Sequence, residues 1–165
     1  MLKKSIGYGL LICVVFFASL VLIPVKISPS ASMIVGTNQF SVQQVLSDIN
    51  RFRDWDPRVI SDSTVLYNSV QVDGKLGLEV TDTFNVVIAN YRIEHSTIDE
   101  VDITVELKNT NTFQYRFLLE PAAQGTKVTW NLDLDVNLML FLFSAESRLE
   151  DTFSGGLAAL NELLK

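Results

Sequence analysis

The stretch VTWNLDLDV, residues 128–136, alternates strictly between apolar and polar side chains. Every second residue from Val128 is apolar, and the residues between are threonine, asparagine or aspartate. A period of two places all the apolar side chains on one face of a β-strand. This stretch therefore predicts a strand with one buried and one hydrated face, as in an antiparallel sheet.

The same alternation recurs in the segments that precede this strand. The predicted strands are 64–72, 76–84, 87–97, 101–107 and 113–119, and a first strand is expected at 33–38. Asp73-Gly74, Asn109 to Asn111 and Gln124-Gly125 are turn sequences between them. The pattern predicts a curved antiparallel sheet of about six or seven strands.

Helical patterns lie before and after these strands. Ser41 and Gln44 form a capping box that opens an apolar period ending near Asn50, and FRDWDPRVI, residues 52–60, predicts a second short helix limited by Pro57. The tail carries a third apolar stripe, made of Leu149, Phe153, Gly156, Leu157, Leu160, Leu163 and Leu164. The result is an α+β domain in which one long helix closes a large sheet, and a cavity between them is expected.

Charge and cysteine content exclude several function classes. The chain has 165 residues and a net charge of −6, and from residue 27 onward 10 basic side chains face 19 acidic ones, a net charge of −9. Such a domain is repelled by phosphate backbones, so no nucleic-acid partner is expected. Cys13 is the only cysteine, which excludes disulfides, zinc sites and thiol nucleophiles from the domain. Phosphate loops, HExxH and nucleophile-elbow motifs are absent from the sequence, so no cofactor, metal or catalytic residue is predicted.

The first 26 residues predict a membrane segment. Residues 6–23 contain no charge, and as a helix they would span roughly 27 Å, close to the thickness of a bilayer core. A cleaved signal peptide and an uncleaved anchor compete, and the length of the run favours the anchor. Lys3 and Lys4 before the run, against Lys26 after it, predict a cytoplasmic N-terminus and a domain on the outer, periplasmic or extracytoplasmic side. The expected division is an anchor at 1–26, a tether at 27–31 and a domain at 32–165.

Three segments of the domain resemble the helix-grip superfamily that includes START domains and polyketide cyclases, often called SRPBCC. They are FSVQQVLSDINRFRDWDPRV (40–59), QGTKVTWNLDLD (124–135) and RLEDTFSGGLAALNELLK (148–165). The resemblance covers residues 32–165 and implies a hydrophobic ligand in a cavity beneath the last helix. It also implies that the Trp-x-Pro turn covers the mouth of this cavity, with Trp55 buried and Asp54, Asp56 and Arg58 in water. Residues 57–78 lack the Gly-rich, Trp-bearing stretch that many anchored relatives carry.

Seven residues are candidates for the cavity: Trp55, Asp82, Tyr91, His95, Tyr115, Trp130 and Phe153. Alternation places Asp82 and His95 on the dry face, where either would serve as an acid–base group or a polar ligand contact. A β-bulge that returns Asp82 to water, and a locally hydrogen-bonded His95, are the competing interpretations. The five aromatic residues either contact a ligand or simply fill the core.

Leu138 to Phe143, LMLFLF, is too apolar for simple alternation. It is either a buried entry to the last helix or an apolar lip that touches the bilayer. Three functions follow from the sequence: a membrane-anchored module that binds a hydrophobic small molecule or lipid, a cyclase- or hydrolase-type enzyme using the same cavity, or an interaction domain with a filled cavity.

Overall fold

The computed structural model describes residues 22–57, 64–72, 74–108, 112–137 and 145–165. They form an α+β domain, as predicted. The elements are β1 (Pro24–Ile27), β2 (Ser30–Val35), α1 (Gln39–Leu46), a 3₁₀ turn (Ile49–Arg51), α2 (Phe52–Trp55), β3 (Leu66–Val72), β4 (Lys75–Thr81), β5 (Val87–Ser96), β6 (Glu100–Leu107), β7 (Thr112–Ala122), β8 (Gly125–Leu132), β9 (Leu134–Asn137) and α3 (Ala145–Leu163). Within these ranges no helix is long and apolar enough to cross a membrane. Residues 1–21, with almost all of the predicted span, lie outside the described residues.

Seven strands form the main sheet, in the order β2-β8-β7-β6-β5-β4-β3, and every neighbouring pair is antiparallel. The consecutive hairpins from β3 to β8 confirm the predicted antiparallel sheet. Their turns define two ends of the sheet. The end where β4 turns into β5 is called the β4–β5 end, and the opposite one the β5–β6 end.

The long strand predicted at 128–136 is interrupted at Asp133, which is a correction. β8 stops at Leu132, and β9 pairs with β1 in a separate two-stranded ribbon, where Pro24 is opposite Asn137. At the break, the Ser28 hydroxyl donates a hydrogen bond of 2.6 Å to Asp133 Oδ1, which ties the link between β1 and β2 to the link between β8 and β9. Residues expected to end the anchor and form the tether therefore belong to strands β1 and β2.

The first strand and the first helix cap also differ from the prediction. β2 ends at Val35 rather than at residue 38, and the cap of α1 is Asn38 rather than Ser41. The Asn38 side chain accepts a hydrogen bond of 2.9 Å from the Ser41 backbone N–H. Asparagine is among the best N-cap residues, and here it precedes the capping-box serine by three positions.

Cross-strand pairing organises the inner face into rows. One row at the centre joins Val101, Phe117, Trp130 and Ala31 across β6, β7, β8 and β2. The last row at the β4–β5 end joins Tyr67, Val80, Ala89 and Leu107 across β3 to β6. Helices α1 and α3 do not cover these rows equally. α3 packs on β2, β8 and α2, and α1 packs on β6, β7 and β8.

The outer face of the same strands carries charged side chains in pairs. Glu94 contacts both Lys75 and Arg92 at 2.5 Å, and Arg116 contacts Glu100 at 2.9 Å and Asp102 at 3.3 Å. The two cations beside Glu94 lower the pKa of its carboxyl to about 2. This face is hydrated, as the alternating pattern predicted.

Candidate ligand-binding site

Aromatic rings fill the space between α3 and the centre of the sheet. Trp130 stacks on Phe153 of α3, with centroids 4.5 Å apart and planes 13° from parallel. The Tyr115 and Phe117 rings lie 5.0 Å and 4.8 Å from Trp130, and Trp55 meets it edge-on at 5.7 Å. All five side chains are at most 3 % exposed. We call these five residues the ring cluster, and their arrangement agrees with core packing.

Gly156 explains how α3 comes so close to the ring cluster. A Cβ at this position would lie 2.6 Å from Trp130 Cζ3 and 2.8 Å from Pro57 Cδ, so only glycine fits. At the neighbouring Gly155 nothing lies within 4 Å. The Trp-x-Pro turn is therefore clamped between helix and sheet, with Trp55 beneath it and Pro57 against α3.

The surroundings of Trp55 confirm one expectation and correct another. Its ring is buried against Phe52, Phe117 and Trp130, as the resemblance implied. Asp56, however, is only 1 % exposed and does not stay in water. Its backbone N–H donates to the Phe52 carbonyl, which draws the residue under the turn. Arg58 lies outside the described residues.

The indole N–H groups of Trp55 and Trp130 are buried and have no hydrogen-bond partner in the described part of the chain. An unpaired buried donor costs roughly 1–3 kcal/mol. Both groups belong to one cluster of rings. An acceptor atom on a bound molecule would therefore form favourable hydrogen bonds with these two N–H groups.

Asp82 does not reach the inner face. β4 ends at Thr81, and the pairing of β4 with β5 shifts register there, which confirms the bulge that competed with the pocket assignment. One carboxylate oxygen of Asp82 accepts hydrogen bonds from the backbone N–H groups of Phe84 (2.8 Å) and Val86 (2.9 Å). Asp82 therefore holds the β4–β5 turn in place.

His95 is also misplaced by simple alternation. The pairing of β5 with β6 shifts register between Ile93 and His95, and the side chain of His95 is exposed. Asp82 precedes β5 and His95 lies near its end, so the strand from Val87 to His95, roughly 26 Å long, lies between them. The two acid–base candidates do not converge, and the enzyme hypothesis loses the pair on which it depended.

Tyr91 lies on the inner face and is buried, with its ring 5.7 Å from Phe52. It separates the ring cluster from the row at the β4–β5 end. Around that row the apolar side chains are only partly buried. They are Val65, Tyr67, Ile88, Leu107, Phe113 and Leu149 of α3. Phe113 touches the ring cluster through Tyr115, at 5.4 Å. We call this set the apolar rim.

Of the rim residues, only Leu149 was singled out in the sequence, as part of the apolar stripe of the last helix. Alternation identifies which side chains face inward, but the depth of burial depends on where the helices lie over the sheet. The placement of α3 over β2 and β8 is not encoded in any strand pattern.

Two surface hollows have a different character. One of about 430 Å³ is lined by Ser41, Gln44, Val45, Asp48, Arg51 and Leu164. Another of about 290 Å³ lies where β8 leaves β7, and its lining mixes polar side chains such as Gln114 and Arg116 with Phe113 of the apolar rim. None of the seven candidate residues lines either hollow. No group of histidine, cysteine and carboxylate side chains suited to a metal ion occurs among the described residues.

Comparisons with known proteins rest on the fold. No family model matches the chain, and no curated protein is significantly similar to it in sequence. Solved structures do match. A putative uncharacterized protein from Rhizobium leguminosarum is 13 % identical with a TM-score of 0.61, over 86 % of this chain and 95 % of its own. The Aha1 dimer from Colwellia psychrerythraea is 12 % identical with a TM-score of 0.59, over 84 % and 96 %.

A third match is the di-domain ARO/CYC StfQ from the steffimycin biosynthetic pathway, 9 % identical with a TM-score of 0.58. The match covers 86 % of this chain but 51 % of StfQ. Identities this low establish the architecture alone. The chain thus has a fold similar to Aha1-like and cyclase structures, which supports the helix-grip assignment made from the sequence.

Proposed function

We propose that this domain binds a hydrophobic small molecule or lipid at the β4–β5 end of the inner face. The observation that carries the proposal is the gradient of burial along that face. The central row is at most 1 % exposed at Val101, Phe117 and Trp130, whereas the apolar rim keeps part of its surface accessible. An apolar surface that the domain does not bury itself is where an apolar ligand gains most, at about 25 cal/mol per Å² removed from water.

The ring cluster moves the proposed site away from the centre of the grip. Because Trp55, Trp130 and Phe153 already occupy the space under α3, a ligand has no room there. The ligand then lies over the row of Tyr67, Val80, Ala89 and Leu107, with Phe113 beside it. Ala89 has the smallest side chain of this row, so a larger residue there would project furthest into the proposed ligand volume.

The membrane anchor remains part of the proposal. β1 begins at Pro24, directly after the apolar run 6–23, so the domain is attached at the tip of the β1–β9 ribbon. The partner of Pro24 in this ribbon is Asn137, and the apolar residues 138–143 follow it in the sequence. Both apolar runs therefore leave the described domain from one point, which favours the lip that touches the bilayer. Residues 138–143 themselves lie outside the described residues.

The proposal is tested by filling the space above Ala89. Replacing Ala89 with phenylalanine should abolish the fluorescence enhancement of the uncharged probe 1-N-phenylnaphthylamine, because the new ring occupies the ligand volume. Asn90→Phe is the matched control, since Asn90 is the next residue of β5 and faces the other side of the sheet. Equal binding by the two variants, both folded by circular dichroism, would falsify the site. Native mass spectrometry of the purified chain, followed by lipid extraction, identifies a ligand that co-purifies.

An interaction domain is the second candidate, and the ring cluster is the observation that favours it. A centre closed by Phe117, Trp130 and Phe153 is what a filled cavity requires. If wild-type protein binds no probe and carries no extractable molecule, this alternative replaces the first.

A further inference from the structure

We propose that Phe84, at the tip of the β4–β5 turn, docks into the surface of a lipid bilayer. This inference rests on the proposed anchoring of the chain through residues 6–23. Phe84 is 84 % exposed, the highest value among the large apolar side chains of the described residues. Leu66, 51 % exposed, pairs with Thr81, the last residue of β4 before this turn.

The turn that carries Phe84 is held in one conformation. The Asp82 N–H donates to the Val86 carbonyl, the Asn85 N–H donates to the Asp82 carbonyl, and both bonds are 3.0 Å. The Asp82 carboxylate accepts two further backbone N–H groups, including that of Phe84 itself. Asn85 has a φ of 57°, in the left-handed region that asparagine tolerates better than most residues. An aromatic ring kept in water on a preorganised turn loses little conformational entropy when it is buried.

The topology brings this turn to the membrane side of the domain. β8 runs toward the β4–β5 end and continues into β9, so the tip of the ribbon at Pro24 extends from that same end. The apolar run 6–23 stops one residue before Pro24. If this run crosses the bilayer, the β4–β5 end is the part of the sheet that faces the lipid.

The β5–β6 turn, at the opposite end of the sheet, differs from the β4–β5 turn in charge and in its contacts. Ile98 is 43 % exposed at the β5–β6 turn, but acidic residues Asp99 and Glu100 follow it. Helix α1 contacts this turn, since Gln39 Nε2 donates to Asp99 Oδ1 at 2.8 Å and Gln43 Nε2 donates to Ser96 Oγ at 2.6 Å. The strand β5 separates the two turns by about 30 Å, counting ten residues at roughly 3.3 Å each. One domain orientation therefore cannot bring both turns to a flat bilayer.

The experiment uses the full chain in phosphatidylcholine vesicles. Cys13→Ala removes the native thiol, and Phe84→Cys or Ile98→Cys then accepts an environment-sensitive nitrobenzoxadiazole label. Flotation of the vesicles establishes whether the chain is anchored. We expect the label at position 84 to shift its emission to the blue and to be quenched by doxyl-labelled lipids, and the label at 98 to show neither effect.

The outcomes separate the two proposals. Flotation without quenching at position 84 overturns the docking of Phe84 but leaves the anchor intact. Stronger quenching at 98 than at 84 shows the opposite orientation and also overturns it. If the chain does not float with the vesicles, residues 6–23 do not anchor it, and the docking of Phe84 is overturned as well. Unlabelled Phe84→Ser should float like wild type, because Phe84 orients the domain and does not anchor it.

Discussion

The two faces of the main sheet are built from the same strands, but one is buried and the other is hydrated. On the inner face, side chains from neighbouring strands meet in rows and exclude water, and the row through Trp130 is almost fully buried. On the outer face the same strands carry ion pairs such as Glu94 with Lys75 and Arg92, which remain partly exposed. Exposed ion pairs contribute little to stability, whereas a buried aromatic side chain contributes several kcal/mol. A binding site is therefore to be sought where the inner face stops being buried.

The largest expected loss of stability comes from a substitution at the centre of the inner face. Trp130→Ala should lower the free energy of unfolding by about 3–5 kcal/mol, because it opens a cavity among packed rings. Phe113→Ala, at the apolar rim, should cost only about 1–2 kcal/mol, since its ring is partly exposed already. Urea unfolding followed by circular dichroism measures both values. Equal losses would contradict the gradient of burial on which the proposed site depends.

Alanine substitutions at the two adjacent glycines of α3 should change stability in opposite directions. Gly156→Ala should destabilise by about 1–3 kcal/mol, because the added methyl group overlaps Trp130 and Pro57. Gly155→Ala should stabilise by about 0.5–1 kcal/mol, because it improves helix propensity and meets nothing. The same denaturation measurement applies. A neutral Gly156→Ala variant would mean that α3 does not pack closely on the ring cluster.

The smallest effect belongs to the outer face and depends on pH. The lowered pKa of Glu94, about 2 against an ordinary 4.5, means that its ion pairs stabilise the fold above about pH 4.5. That contribution is lost as the pH falls toward 2, when the folded state takes up the proton as well. Glu94→Gln should therefore destabilise by less than about 1 kcal/mol at pH 7 and lose the difference from wild type by pH 2. Urea midpoints at the two pH values measure this; a difference that persists at pH 2 would rule out the ion pairs as its cause.

Much of the fold was predictable because one face of each hairpin is dry. Strict alternation in segments such as 101–107 fixed the strand and its inward residues, and the apolar stripe around Phe153 fixed the closing helix. Trp55 was predictable as a buried ring for a similar reason, since a tryptophan at a Trp-x-Pro turn needs a surface to cover.

Alternation failed wherever a strand changed register. Asp82 and His95 were placed on the dry face by counting in steps of two, and in each case a shift in cross-strand pairing intervenes. Neither shift has a glycine or proline to announce it in the sequence. The interruption at Asp133 was missed for another reason, because Asp133 bonds to Ser28, more than a hundred residues earlier in the chain, and no local pattern predicts such a contact. Predictions about the site were the weakest, because strand register and helix placement decide which inward side chains are covered.

The ribbon of β1 and β9 imposes an order on folding. β1 pairs with β9 and β2 pairs with β8. The first two strands therefore have no partner strand until most of the chain has been synthesised. Closing a loop on the order of a hundred residues is slow, because entropy is lost before the contacts form. The hairpins from β3 to β7 pair only with chain neighbours and are free to form first. A chain halted before residue 125 would expose the edge of β7 and leave β1 and β2 without their partner strands, so the two sheets are completed only when β8 and β9 have been made.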